Sequence, residues 1–225
     1  MLSAPGTLDR VHLPERLPIV FVPSGLYDKD RVTAEQFWSD SGVTGRLAHR
    51  QVVLHERPAE PRSWAEEADA LTATIEAAAD GPVAIIAGSN GCSAALRVTL
   101  ERPELVARLM LCWPATANDE VMDGLARVIT ADVHDETVAE QLLDGEPVRG
   151  VTRAELATIN ADVAVYPCLP ENKAHQRHTA TDAVGAIPGA MLLRGGPDPI
   201  DTAFGDFADG LAELIDVFTT VADGD

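Results

Sequence analysis

Basic residues are scarce in this chain. Lys and Arg number 17 against 36 Asp and Glu, a formal net charge of −19 over 225 residues. A phosphate backbone or an anionic membrane would be repelled, so nucleic-acid and membrane partners are not expected, and the acidity reads as a means of solubility. Cysteine is scarce too. Cys92, Cys112 and Cys168 are odd in number, widely spaced and set in or beside apolar runs, with no Cys-x-x-Cys among them. That excludes a disulfide framework and gives no spacing for a zinc or redox site, so they read as reduced core residues of a cytoplasmic protein. No apolar run approaches the roughly 18 residues of a membrane span. Met1 to Arg16 has neither a basic start nor an apolar stretch of the kind a secretory leader needs. No internal repeat or low-complexity segment interrupts the chain.

What is present is an alternation. Apolar runs at 17–22, 50–55, 83–87, 109–113, 163–168 and 190–193 read as buried strands, and most are followed by a helical pattern. Ser63 starts a long helix to about Ala79, with Glu66 at capping-box spacing and apolar positions at Ala68, Leu71 and Ile75. Continuous apolar strands between amphipathic helices predict an α/β fold: one mostly parallel sheet of about six strands with helices on both faces, in a single domain over 1–225. Residues 117–158 break the alternation with two helical pieces and several turn residues, and read as a small helical lid over the crevice. In such sheets ligands bind beyond the carboxyl ends of the strands. There the loops 23–28, 55–57, 89–91, 113–118 and 169–175 should gather.

One stretch carries chemistry. The third strand ends in Ala87-Gly88-Ser89-Asn90-Gly91 and a helical pattern follows at once. A serine oxygen held clear of the backbone at a strand end needs a turn too sharp for large neighbours, hence small residues two before and two after it. The helix that starts there aims unpaired N–H groups at whatever the serine attacks.

With that motif in place the chain resembles the α/β-hydrolase family, in order, from Leu17 to the C-terminus. Ala87–Gly91 is similar to its nucleophile elbow, and Pro23-Ser24-Gly25-Leu26 stands where the family carries its oxyanion loop, with Ser24 in place of the usual histidine. The family's first two strands are missing, which makes this a compact form. The resemblance implies Ser89 as nucleophile and the backbone N–H groups of Asn90 and Leu26 as the oxyanion hole. It also implies an acid on the loop after the strand ending at Cys168, the place Glu171 fills. The histidine departs from the pattern. The family has it after the last strand, where this chain reads Leu193-Arg-Gly-Gly-Pro-Asp198, and no histidine follows His178.

His175 is the nearest substitute. If a helix begins near Asn172, Glu171 and His175 lie one turn apart and can reach each other. Asp119 is an alternative acid, whereas Asp198 reads as a turn residue between Pro197 and Pro199. Tyr27 and Trp113 fall on crevice loops as candidate substrate-binding aromatics, while Trp38 and Trp64 read as helix-to-sheet packing. His55, at a strand end, reads as a polar terminus or a ligand contact. His178 reads as a solvated neighbour of His175, His12 and His49 as surface, and His134 as part of the lid. The expectation is a serine hydrolase acting on a small ester, thioester or lactone: Ser89 attacks, His175 is the base and Glu171 orients it, with no metal or other cofactor. A crevice without the usual histidine also admits a non-hydrolytic enzyme (a cyclase, eliminase or isomerase) or a ligand-binding pseudoenzyme.

Overall fold

The computed structural model describes residues 14–25, 32–131 and 136–221. Its elements run β1 (Ile19–Val22), a π-helical turn (Glu35–Ser39), α1 (Val43–Arg46), β2 (Val52–Leu54), α2 (Trp64–Ala78), β3 (Val83–Gly88) and α3 (Gly91–Glu101). There follow β4 (Val106–Cys112), α4 (Glu120–Ala131), α5 (Glu136–Leu143), α6 (Arg153–Leu156), β5 (Asp162–Tyr166), α7 (Arg177–Ala186), β6 (Met191–Leu192) and α8 (Ala208–Phe218). The six strands form one all-parallel sheet in the order β2-β1-β3-β4-β5-β6.

Alternation along each strand explains why both faces are covered. Val20, Val22, Ile85, Ala87, Leu109, Leu111, Val163 and Val165 point to one side, where α2, α3 and α7 supply Leu71, Ile75, Leu96 and Ala183. Ile19, Phe21, Ile86, Met110, Cys112, Ala164 and Tyr166 point to the other, against Trp38, Val43, Leu211 and Ile215. A strand buried on both faces has no polar row to spare, which is why these segments read as unbroken apolar runs. Leu71 and Ile75 are fully buried, and each such side chain contributes about 1.5–3 kcal/mol by leaving water.

Helix starts follow local chemistry. Ser63 Oγ accepts the Glu66 N–H at 3.1 Å, and the Glu66 carboxylate accepts the Arg62 N–H rather than closing the expected box on Ser63. Thr33 and Gln36 bond reciprocally, side chain to N–H, at 3.1 and 3.0 Å. A π-helical turn and then the short α1 follow, separated at Gly42, whose φ is +86°. Helices α4, α5 and α6 occupy the interval between β4 and β5. Trp64 of α2 anchors the first two: it shares a buried apolar cluster with Ala126 of α4 and Val138, Leu142 and Leu143 of α5, and its Nε1–H donates to Leu142 O at 3.0 Å.

The sheet changes winding direction once. The chain steps from β1 outward to β2, then returns across β1 to β3 and continues the other way. The carboxyl ends of β1 and β3 therefore flank a natural crevice. Ser24 and Gly25 follow the first and Ser89 the second. No helix among the described residues is long and apolar enough to cross a membrane.

Candidate active site

Ser89 lies at the tip of a sharp turn between β3 and α3, with φ +53°. A non-glycine residue in the left-handed region costs about 1–3 kcal/mol and persists only where its surroundings over-determine it. Here they do. The Ser89 N–H donates to Cys112 O at 2.9 Å, and Ser89 O accepts the Cys92 N–H at 3.1 Å. The small neighbours are obligatory. A Cβ on Gly88 would stand 2.5 Å from the Phe37 ring, and one on Gly91 would stand 2.5 Å from Pro23 O. The serine is thus pressed out of the chain at the sheet's carboxyl edge, with the N–H of Asn90 and the first turn of α3 beside it.

His175 and Asp198 extend a hydrogen-bond series from Ser89. His175 Nε2 is 2.9 Å from Ser89 Oγ, and His175 Nδ1 is 2.9 Å from Asp198 Oδ2. All three residues are over nine-tenths buried. Asp198 Oδ2 also accepts Asn172 Nδ2–H at 2.9 Å, and its Oδ1 accepts the Ile200 N–H at 3.1 Å. Burial pushes the Asp198 carboxyl up. The hydrogen bond and charge of His175, with those of Asn172 and Ile200, outweigh burial and hold the group below its ordinary 3.8.

The loops that bring these groups together are tightly drawn. Asn172 Oδ1 accepts the N–H groups of Ala174 and His175, both at 3.0 Å, so residues 172–175 form a side-chain-closed turn and α7 begins only at Arg177. The loop after β6 is pinned to the loop after β5: Leu169 N–H donates to Gly196 O at 2.9 Å and Gly196 N–H to Pro167 O at 3.1 Å. Gly195, at φ +83°, leaves no room for a side chain, because a Cβ would meet Pro167 O at 2.4 Å.

Several expected residues stand elsewhere. The helix expected from Asn172 is absent, and Glu171 is turned away from the imidazole; its exposed carboxylate accepts the Arg177 N–H at 2.7 Å. The acid against His175 is Asp198, so the order along the chain is Ser, His, acid. Asp119 caps α4, accepting the N–H groups of Val121 and Met122 at 3.1 and 2.9 Å. Trp113 does not line the crevice. At φ +49° its ring turns inward, fully buried among Phe37, Trp38, Tyr166 and Phe204, and its Nε1–H donates to Gly196 O at 3.0 Å. It supports the site from beneath. His55 is buried with Nδ1 2.8 Å from Thr74 Oγ1, and His178 is exposed on α7. Leu26, Tyr27, His12 and His134 lie outside the described residues.

The crevice encloses about 220 Å³. Ser24, Gly25, Ser89, Asn90 and His175 form its floor; Ala115, Met122, Leu125, Ala126 and Ile200 give it apolar walls; Arg149 also lines it. Arg57 stiffens the wall next to Gly25. It donates to Gly25 O and holds the fully buried Glu67 of α2 through Nε–Oε2 at 2.7 Å and Nη2–Oε1 at 2.5 Å. Among the described residues, one group could hold a metal: Cys168, His175 and Asp198, with donor atoms within 4.8 Å of one another. The imidazole and carboxylate of that group are engaged with each other, and Cys168 Sγ lies 3.9 Å from Asp198 Oδ2.

No protein-family model matches the chain, and no curated protein matches it significantly. Solved structures do. An N-acyl homoserine lactone degrading enzyme, Est816, superposes with a TM-score of 0.64 at 17% identity, over 90% of this chain and 93% of that one. A meta-cleavage product hydrolase from Pseudomonas fluorescens superposes with a TM-score of 0.66 at 14% identity, over 91% and 90%. A lipase-esterase related protein from Clostridium acetobutylicum gives 0.65 at 12% identity, over 89% and 93%. Together with the six-stranded parallel sheet and its covering helices, these likenesses show that the chain has the α/β-hydrolase fold.

Proposed function

We propose that the protein is a serine hydrolase acting on a small ester, thioester or lactone through an acyl-enzyme. One observation carries this reading: a serine oxygen, an imidazole and an ionised carboxylate stand in hydrogen-bond series, 2.9 Å apart at each step, at the floor of an apolar cleft. With its Nδ1–H donated to Asp198, the His175 ring presents the Nε2 lone pair to the Ser89 hydroxyl. Ser89 Oγ then attacks the carbonyl carbon as its proton passes to Nε2. The charge forming on the carbonyl oxygen meets the Asn90 N–H and the dipole of α3. The tetrahedral centre collapses, the bond to the leaving oxygen or sulfur breaks, and His175 returns the proton to that atom. Water enters by the same base and releases the acid. Asp198 keeps the ring in the required tautomer and stabilises the imidazolium. Helices α4 to α6 act as a lid, the apolar α4 side chains Met122, Leu125 and Ala126 displacing water from the acyl group.

The test uses a fluorophosphonate probe and short p-nitrophenyl esters. Wild-type protein should be labelled at Ser89 and should turn the esters over, and both signals should vanish in Ser89→Ala. Wild-type protein that neither labels nor hydrolyses would refute the proposal.

A further inference from the structure

Arg149 is the one permanently charged side chain among the described residues that line the cleft. It is 4% exposed, in a chain where acidic residues outnumber basic ones by 19. Its guanidinium offers five N–H donors. Nη1 donates to Asn90 Oδ1 at 3.1 Å, beside the nucleophile, and Nη2 donates to Asp123 Oδ1 at 2.9 Å, on the overlying helix α4. Nε is buried with no partner among the described residues. The backbone beneath is fixed. Gly150 N–H donates to Asp144 O at 2.6 Å, Glu146 N–H to Val151 O at 2.9 Å, and Gly150, at φ +78°, packs where a Cβ would strike the Trp64 ring at 2.4 Å. A buried, pre-positioned guanidinium with donors to spare suits a planar anion better than any neutral group. The apolar residues that line the same cleft suit a short hydrocarbon spacer.

We propose that Arg149 is the specificity residue of the cleft and that the substrate carries a carboxylate a few carbons from the scissile carbonyl. This rests on the hydrolase reading above. Without such a cation an anionic substrate would be repelled by the chain as a whole. In the free protein Asp123 occupies part of the guanidinium, so the incoming carboxylate competes with it.

Two ester series locate the anion. On the acyl side, p-nitrophenyl hemiesters of succinate and glutarate are compared with p-nitrophenyl butyrate and valerate. On the alcohol side, the acetyl ester of 4-hydroxybenzoate is compared with that of 4-hydroxybenzamide. In one series kcat/KM should favour the anion by about tenfold or more, carried mainly by KM. Arg149→Met should abolish that preference, Arg149→Lys should keep part of it, and Asp123→Asn should enlarge it several-fold. A wild type that labels with fluorophosphonate yet shows no anion preference in either series overturns the assignment and leaves the hydrolase reading standing. So does a preference that survives Arg149→Met. If the wild type fails to label, calorimetric titration with glutarate decides: binding lost in Arg149→Met supports the anion site, and no binding to wild type at millimolar glutarate overturns it.

Discussion

Replacing Asp198 by Asn tests the relay most sharply, because the two side chains have the same shape. Asp198 Oδ2 accepts two donors, His175 Nδ1–H and Asn172 Nδ2–H, while Oδ1 accepts the Ile200 N–H. An amide satisfies these only in part. With its NH2 toward His175 it confronts two donors, and the ring must move its proton to Nε2, where it can no longer accept from Ser89. With its oxygen toward His175, the NH2 faces the Ile200 N–H and the negative charge that stabilises the imidazolium is gone. Either way the expected loss in kcat is about 10³–10⁴-fold, equivalent to about 4–5.5 kcal/mol of transition-state stabilisation. The assay is p-nitrophenyl ester hydrolysis alongside the rate of fluorophosphonate labelling. Glu171→Gln is the internal control and should stay within about threefold of wild type, since its exposed carboxylate accepts the Arg177 N–H at the start of α7. Asp198→Asn at wild-type rate, or Glu171→Gln with the thousandfold loss, would refute the assignment of the acid.

Other expectations follow from the same geometry. The Asp198 carboxyl is held below its ordinary value, so its contribution to stability is complete above about pH 4 and is lost as pH falls through the lowered native value. Denaturant titrations from pH 7 to pH 2 should show the stability gap between wild type and Asp198→Asn closing only below pH 4. Gly91→Ala should cost about 1–3 kcal/mol in urea unfolding, because the new methyl group meets the Pro23 carbonyl. Glu67→Ala removes the buried carboxylate to which Arg57 donates through two nitrogens and should cost about 3–5 kcal/mol, read as a lowered unfolding midpoint. Burial pushes the Cys92 and Cys112 thiols up, and burial beside Asp198 pushes Cys168 up to about 11. At pH 8 a disulfide reagent should therefore titrate no thiol in native protein and all three in denaturant.

The parts of this fold that were legible in the sequence are those whose chemistry is local. Val83–Gly88 is an unbroken apolar run because both its faces are covered, and Ser89 announces itself through neighbours that cannot grow. His175 was within reach, since few histidines lie at the carboxyl edge of the sheet. Asp198 was not. Between Pro197 and Pro199 it has the look of an ordinary turn, and its role depends on how Gly196 is pinned to Pro167 and Leu169, which no local pattern records. Glu171 misled because four-residue spacing assumes a helix, whereas the Asn172 side chain closes a turn there instead. Trp113 misled because strand ends usually face the crevice, and a positive φ folds this one under the sheet edge. Arg149 left no signal at all: a single arginine in a glycine-punctuated loop is unremarkable until Asn90 and Asp123 are seen on either side of it.

The exchange of imidazole and carboxylate between the two final loops reaches beyond this chain. A survey that judges catalytic competence by looking for histidine downstream of the last strand would file this protein among the inert members of its fold, although its ring nitrogen stands 2.9 Å from the serine. The two loops are stitched together at Gly196, which holds an imidazole on one and a carboxylate on the other within hydrogen-bond reach. Chains set aside as inactive for want of that histidine therefore merit an assay, with the loop one strand earlier as the place to seek the base.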